Sequence, residues 1–166
     1  MIETAILGLL TEGDAHGYGL HRRLIDMGFW RVSFGSVYPA LRRLKAVGAV
    51  EVSETKDEKG RKQYRLTELG RELLISQLGD METVDNTSGF RVRMTFLDLL
   101  SRQDRVAVLA KRAEILKDRI RAARASVAEN ARSAYARSEM EHRAESMERD
   151  VEWVERLIMQ ETKGTS

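Results

Sequence analysis

Between Ser33 and Leu66 the spacing of apolar residues switches from helical to alternating, and few folds can carry that switch. In SFGSVYPALRRLKAVG, Val37, Leu41, Leu44 and Val47 recur every three or four residues, and Gly48 closes the run. Val50, Glu51, Val52 and Ser53 then alternate, as do the residues from Arg61 to Leu66, across a charged turn from Lys56 to Gly60. The pattern predicts a short helix feeding a β-hairpin, with Tyr64 and Leu66 on the same face as Val50 and Val52. Arg42, Arg43 and Lys45 stand opposite the apolar stripe of the helix, while Lys59, Arg61, Lys62 and Arg65 gather at the hairpin. Such a helix suits a DNA-reading element and an ordinary amphipathic surface helix equally well.

Pro39 complicates where that helix begins, because proline is tolerated only in a first turn. Ser36 as the cap puts Pro39 at the third helical position and is the preferred start on energetic grounds; a looser opening turn near Phe34, capped by Ser33, is the alternative. Ahead of it, Met1 to Leu10 predicts a first helix with Ile2, Ala5, Ile6, Leu9 and Leu10 on one face. Ala15 to Met27 predicts a second, ended by Gly28 and drawing apolar surface from Tyr18, Leu20, Leu24 and Ile25. Gly17 and Gly19 form a GxG that follows no strand and precedes no Lys-Ser/Thr, so close helix packing explains it better than a phosphate loop. Thr67 suits the cap of a fourth helix reaching Leu78, with Leu69, Leu73, Leu74 and Leu78 inward. Three helices, a hairpin and a linking helix make a winged helix-turn-helix over residues 1–79.

Residues 80–89 read as a polar, turn-rich linker. Beyond it, Phe90 to Leu100 predicts a short helix with more apolar surface than a lone helix leaves wet. Val106, Leu109, Ala113, Leu116, Ile120, Ala123 and Val127 then step by three and four. The same rhythm restarts at Met140, Ala144, Met147, Val151, Val154 and Ile158, after a turn placed between Asn130 and Arg137. The fold class is therefore mainly α with a small β-hairpin: an N-terminal winged helix-turn-helix, and an antiparallel helical coiled-coil arm within residues 90–166. A thin helix pair has little core of its own, so a second copy is the expected partner, with Phe90, Phe96, Leu97, Leu100, Met147, Val151, Val154 and Ile158 as candidate dimerisation residues.

Composition narrows the function classes. A net charge of +2, at a sequence pI near 9.0, does not by itself argue for nucleic acid, but the two local basic clusters argue for a directed surface. Without cysteine there is no disulfide, thiolate nucleophile or cysteine-based zinc site, and His16, His21 and His142 have no ligand spacing, so no metal or cofactor is expected. No nucleophile–base set or carboxylate pair stands out, which argues against an enzyme. No apolar run approaches the ~20 residues of a membrane span, and the first residues carry no leader, so a cytoplasmic location is expected.

Within the basic helix, Ser36 and Tyr38 lie near a start whose exposed N–H groups favour phosphate. Tyr38 can bond a phosphate, pack on a thymine methyl, or fill the gap between the second and third helices. Arg42 is the candidate reader of guanine, since a planar fork grips two acceptors; Arg43 and Lys45 suit phosphate or solvent, and Lys59, Arg61 and Lys62 suit backbone neutralisation. Large apolar residues at Trp30, Trp153, Phe90 and Phe96 could line a cleft for an effector.

HGYGLHRRL, GSVYPALRRLKAVGAVE and GRKQYRLTELGREL, in that order, together resemble the PadR family of transcriptional regulators over roughly Met1 to Leu78. The later helices resemble the C-terminal region of the larger members in pattern rather than motif. The resemblance implies a cytosolic, homodimeric repressor on a pseudo-palindromic operator of double-stranded DNA, with release by a small molecule in some members. By position it places Ser36 and Tyr38 where the family's third helix meets DNA, and Gly60, Arg61 and Lys62 in its wing. The rival reading is a protein-interaction module whose coiled arms bind another regulator.

Overall fold

The computed structural model describes residues 1–29, 32–56, 60–85, 87–130 and 133–163. In chain order these form α1 (Ile2–Leu10), β1 (Ala15–His16), α2 (Gly17–Asp26), α3 (Phe34–Ala46), β2 (Val50–Lys56), β3 (Lys62–Leu66), α4 (Glu68–Gly79), α5 (Thr87–Thr95), a 3-10 turn (Leu97–Leu99), α6 (Arg102–Asn130) and α7 (Ala134–Lys163). None of the described helices is long and apolar enough to cross a membrane.

Contacts divide the chain into two compact units, one of residues 1–79 with 88–99, the other of residues 80–87 with 100–166. In the first, Ala5, Ile6, Leu7, Leu20, Leu24, Val37, Leu41, Leu74 and Leu78 are buried, so α1 to α4 share one core. Gly28 and Gly48 end α2 and α3 at positive φ, and after each the chain bonds back to the helix: Phe29 N–H to the Leu24 carbonyl, Ala49 N–H to that of Leu44. Thr67 caps α4 by accepting from the Gly70 N–H at 3.0 Å. Leu69, expected to face inward on α4, is instead 53% exposed, because the apolar face there runs through Gly70, Leu74 and Leu78.

The hairpin registers as expected, Val50 opposite Leu66 and Val52 opposite Tyr64. The second helix, however, starts later. Ala15 and His16 pair with Tyr64 and Gln63 as a third antiparallel strand, giving the order β1-β3-β2. His16 then caps α2, its Nδ1 accepting from the Gly19 N–H at 2.8 Å. Asp14 fastens this edge strand, accepting from Arg65 at 3.2 and 3.1 Å while Arg65 also reaches the Ser53 hydroxyl.

Residues 90–100 also depart from expectation. They do not form one helix reaching Leu100, and α5 with its 3-10 turn groups with the N-terminal unit rather than with α6 and α7. Arg93 and Phe96 help to hold it there. Buried Arg93 donates to the carbonyls of Leu78 and Gln77, both at 3.0 Å, placing a cation on the electronegative end of α4. Phe96 lies so close to α1 that a Cβ at Gly8 would overlap its ring.

In the second unit α6 and α7 run antiparallel, each about 45 Å long at the usual helical rise. Val108, Leu109, Ala113 and Leu116 of α6 are buried, as are Ala144, Val151 and Val154 of α7. Ion pairs join the two helices: Arg105 with Glu161 at 2.8 Å, Lys117 with Glu155 at 2.6 Å, and Arg124 with Glu148. Arg112, buried in α6, donates to the carbonyls of Val84 and Asp85 and so holds the preceding turn to the pair.

Candidate nucleic-acid interface

The third helix begins at Phe34 with Ser33 as its cap residue, not at Ser36. Pro39 therefore lies inside the helix, where it cannot donate to the Gly35 carbonyl. The opening turn is tightened instead: the Ser36 N–H and hydroxyl both donate to the Ser33 carbonyl, at 3.0 and 2.7 Å. Gly35 is exposed, so solvent can take its freed carbonyl. Ser36 is thereby engaged within the turn and half-buried.

Burial of Val37, Ala40, Leu41 and Leu44 decides which face of α3 looks outward. Phe34, Tyr38, Arg42 and Lys45 are all exposed and follow at intervals of four, four and three, one continuous stripe. No carboxylate occurs anywhere in α3. Arg43 turns away from this stripe and pairs with Glu3 of α1 at 2.6 Å, so it helps to join helices. Arg42 and Tyr38 are near enough to β3 to act on Tyr64: burial raises the Tyr64 phenol above its ordinary value, the Tyr38 phenol adds to the rise, and Arg42 opposes it.

Tyr38 is both packed and presented. Its ring lies on Gly17, where a Cβ would stand 2.8 Å from Cζ, so it fills the gap between α2 and α3. At 38% exposure it still shows one edge to solvent. Next to it stand two aromatics that the sequence reading did not assign to the site, Phe34 at 43% and Tyr18 at 54% exposure. Phe34 is central: its centroid is 5.3 Å from that of Tyr38, 5.5 Å from His21 and 6.1 Å from Tyr18. The available signal was the glycine on either side of Tyr18, which leaves nothing bulky to cover it.

In the wing, Arg61 and Lys62 are exposed, while Lys59 falls outside the described residues. Arg65, counted among the basic residues of the hairpin, is taken by Asp14, and the Arg65 guanidinium in turn holds the Asp14 carboxyl below the usual carboxylate range. The surface thus combines three rings, a helix without carboxylates and a wing that carries Arg61 and Lys62. Such a surface can neutralise phosphates and present a guanidinium to base edges.

Residues 6–76 match the sequence profile described as the Transcriptional regulator PadR-like family. Over these residues, rather than over its whole length, the chain is similar to PadR-like regulators. Among PadR-like relatives, the negative transcriptional regulator PadR of Bacillus subtilis is 31% identical over 112 residues, an alignment covering 63% of this chain and 60% of that protein. The chain therefore spans less than two thirds of that relative. A PadR-like transcriptional regulator from Bacillus cereus shares 35% identity over 43% of this chain and 72% of its own, with a TM-score of 0.41. Bacillus subtilis PadR in complex with operator DNA is 24% identical, covers 96% of this chain and 98% of its own, and has a TM-score of 0.43.

The remaining expected site residues sit differently. Phe90, Phe96, Leu97 and Leu100 are buried within one chain. Val151 and Val154 of α7 are likewise buried. Met147 and Ile158 are half-buried. Trp30 lies outside the described residues, and Trp153 is 39% exposed on α7. An open groove of about 590 Å³ runs between α6 and α7, floored by Leu116, Ala123, Met140 and Met147.

Proposed function

We propose that the chain is a PadR-like regulator that represses transcription by binding, as a homodimer, a pseudo-palindromic operator in double-stranded DNA. The observation that carries the reading is the acid-free exposed stripe of α3, Tyr38, Arg42 and Lys45, beside a wing that carries Arg61 and Lys62. Placed in a major groove, Arg42 would grip a guanine edge while Lys45 and the wing engage phosphates. Ser36, whose N–H and hydroxyl both donate to the Ser33 carbonyl, would act by shaping the start of the helix. Repression is supported by the name of the Bacillus subtilis relative, a negative regulator.

One such helix covers few base pairs, and two copies about 34 Å apart multiply the selectivity. In this reading residues 1–79 bind DNA and the arm of α6 and α7 pairs the copies. The second copy would fill the groove floored by Met140 and Met147, with Ile158 as a further contact. A small-molecule effector would release the operator, with Trp153 as its candidate contact among the described residues.

Incubating the chain with genomic fragments and sequencing those retained tests the reading. A shared palindrome at moderate salt is expected, and retention without any shared sequence would overturn it. Met147→Asp should lower the sedimentation mass to that of a monomer and weaken retention; an unchanged dimer places the subunit contact elsewhere.

A further inference from the structure

We propose that Phe34 reads the C5-methyl group of a thymine in the major groove. The inference rests on the DNA-binding reading above and deepens it to a base identity. Phe34 is the first residue of α3, and N-terminal residues of a recognition helix are those that reach base edges. Its ring has no polar atom, so it gains nothing from a phosphate, yet it stands 43% exposed on a surface that is otherwise cationic and hydroxylic. It is also held in place: Tyr38 and His21 meet it edge-on at 5.3 and 5.5 Å, and Tyr18 leans on it at 6.1 Å. A ring fixed by three others has little rotamer freedom left to lose when it docks.

Only one group on the edges of the four base pairs in the major groove is apolar, the thymine methyl. Arg42 and Lys45, two and three turns further along the same stripe, would draw the duplex onto this face and leave the Phe34 ring facing the bases. Docking a methyl there removes apolar surface from water on both sides. One methyl is worth about a fourfold change in affinity.

The test uses the full chain and duplexes that it recovers from a randomised pool. Each thymine in a recovered duplex is replaced in turn by deoxyuridine, which lacks only the methyl. About a fourfold loss is expected at one or more positions in each half-site. Phe34→Ser should bind the thymine and deoxyuridine duplexes alike, and Phe34→Leu, still apolar, should keep the discrimination; circular dichroism checks that both variants fold. The inference is overturned if no replacement changes wild-type affinity by more than twofold, or if Phe34→Ser discriminates as the wild type does. Recovery of no duplex at all would overturn the DNA-binding reading and this one with it, whereas recovered duplexes indifferent to deoxyuridine overturn this one alone.

Discussion

The Tyr38 ring rests on Gly17, its Cζ 2.8 Å from the point where any other residue would place a Cβ. The contact lets α2 and α3 approach closely, and it aims the exposed edge of Tyr38 along the stripe that includes Arg42. The glycine pair of α2 therefore serves packing: Gly17 admits Tyr38, and Gly19 sits over the His16 ring that caps the same helix.

Gly17→Ala should separate stability from binding. The obstructing atoms are the far end of an exposed side chain, which can swing aside, and alanine favours a helix by up to about 1 kcal/mol over glycine. Thermal unfolding should therefore move little. Retention of DNA should fall, because Tyr38 and the Phe34 ring on which it leans lose their placement. Undiminished retention would show that the orientation of Tyr38 is irrelevant to binding.

Gly70→Ala is expected to act in the opposite sense. The atom in its way is the backbone carbonyl of Ala49, at the turn from α3 into β2, and backbone cannot rotate clear. Overpacking of this kind costs about 1–3 kcal/mol. A denaturant midpoint for the N-terminal unit indistinguishable from wild type would contradict the contact.

Arg42→Ala and Arg43→Ala should differ although they are adjacent. Loss of Arg42 should relax preference at one base position and weaken operator binding by about 1–3 kcal/mol. Arg43 is bound to Glu3 in a largely exposed pair, so its loss should cost less than about 1 kcal/mol of stability and leave the recovered sequence motif intact. Binding titrations and the motif recovered by each variant check the contrast.

Acid should loosen the edge strand. The Asp14 carboxyl is held below its ordinary value chiefly by the hydrogen bond from Arg65, with burial opposing and Ser53 and the Arg65 charge assisting. A carboxyl depressed in the folded state contributes stability that is complete above its unfolded pKa and lost as pH falls through the folded one. The loss should therefore begin near pH 4 and deepen below it. Asp14→Asn should remove this contribution at neutral pH and flatten that acid limb; a stability–pH curve parallel to wild type between pH 5 and 2 would show that the pair contributes nothing.

Much of the fold was legible along the chain because it is set by local periods. The helix-to-hairpin switch, Gly28 and Gly48 as helix ends, Thr67 as a cap and the two long seams all follow from near neighbours in sequence. Ala15 and His16 were not legible, since two residues show no alternation and their strand exists only through pairing with Tyr64 and Gln63. The start of α3 was misjudged for a related reason. Local energetics favour Pro39 in a first turn, whereas the rings of His21 and Tyr18 that meet Phe34 lie outside that window.

By itself, then, the sequence determined the helices, the hairpin and the basic residues that accompany them, because periodicity, caps and turns are short-range. Tertiary structure alone decided which of those residues are available. Burial of Leu41 and Leu44 turned Arg42 and Lys45 outward, Glu3 and Asp14 claimed Arg43 and Arg65, and Arg93 with Phe96 drew α5 into the N-terminal unit. A charge or a ring is given its task by its partner, and these partners lie tens of residues away along the chain.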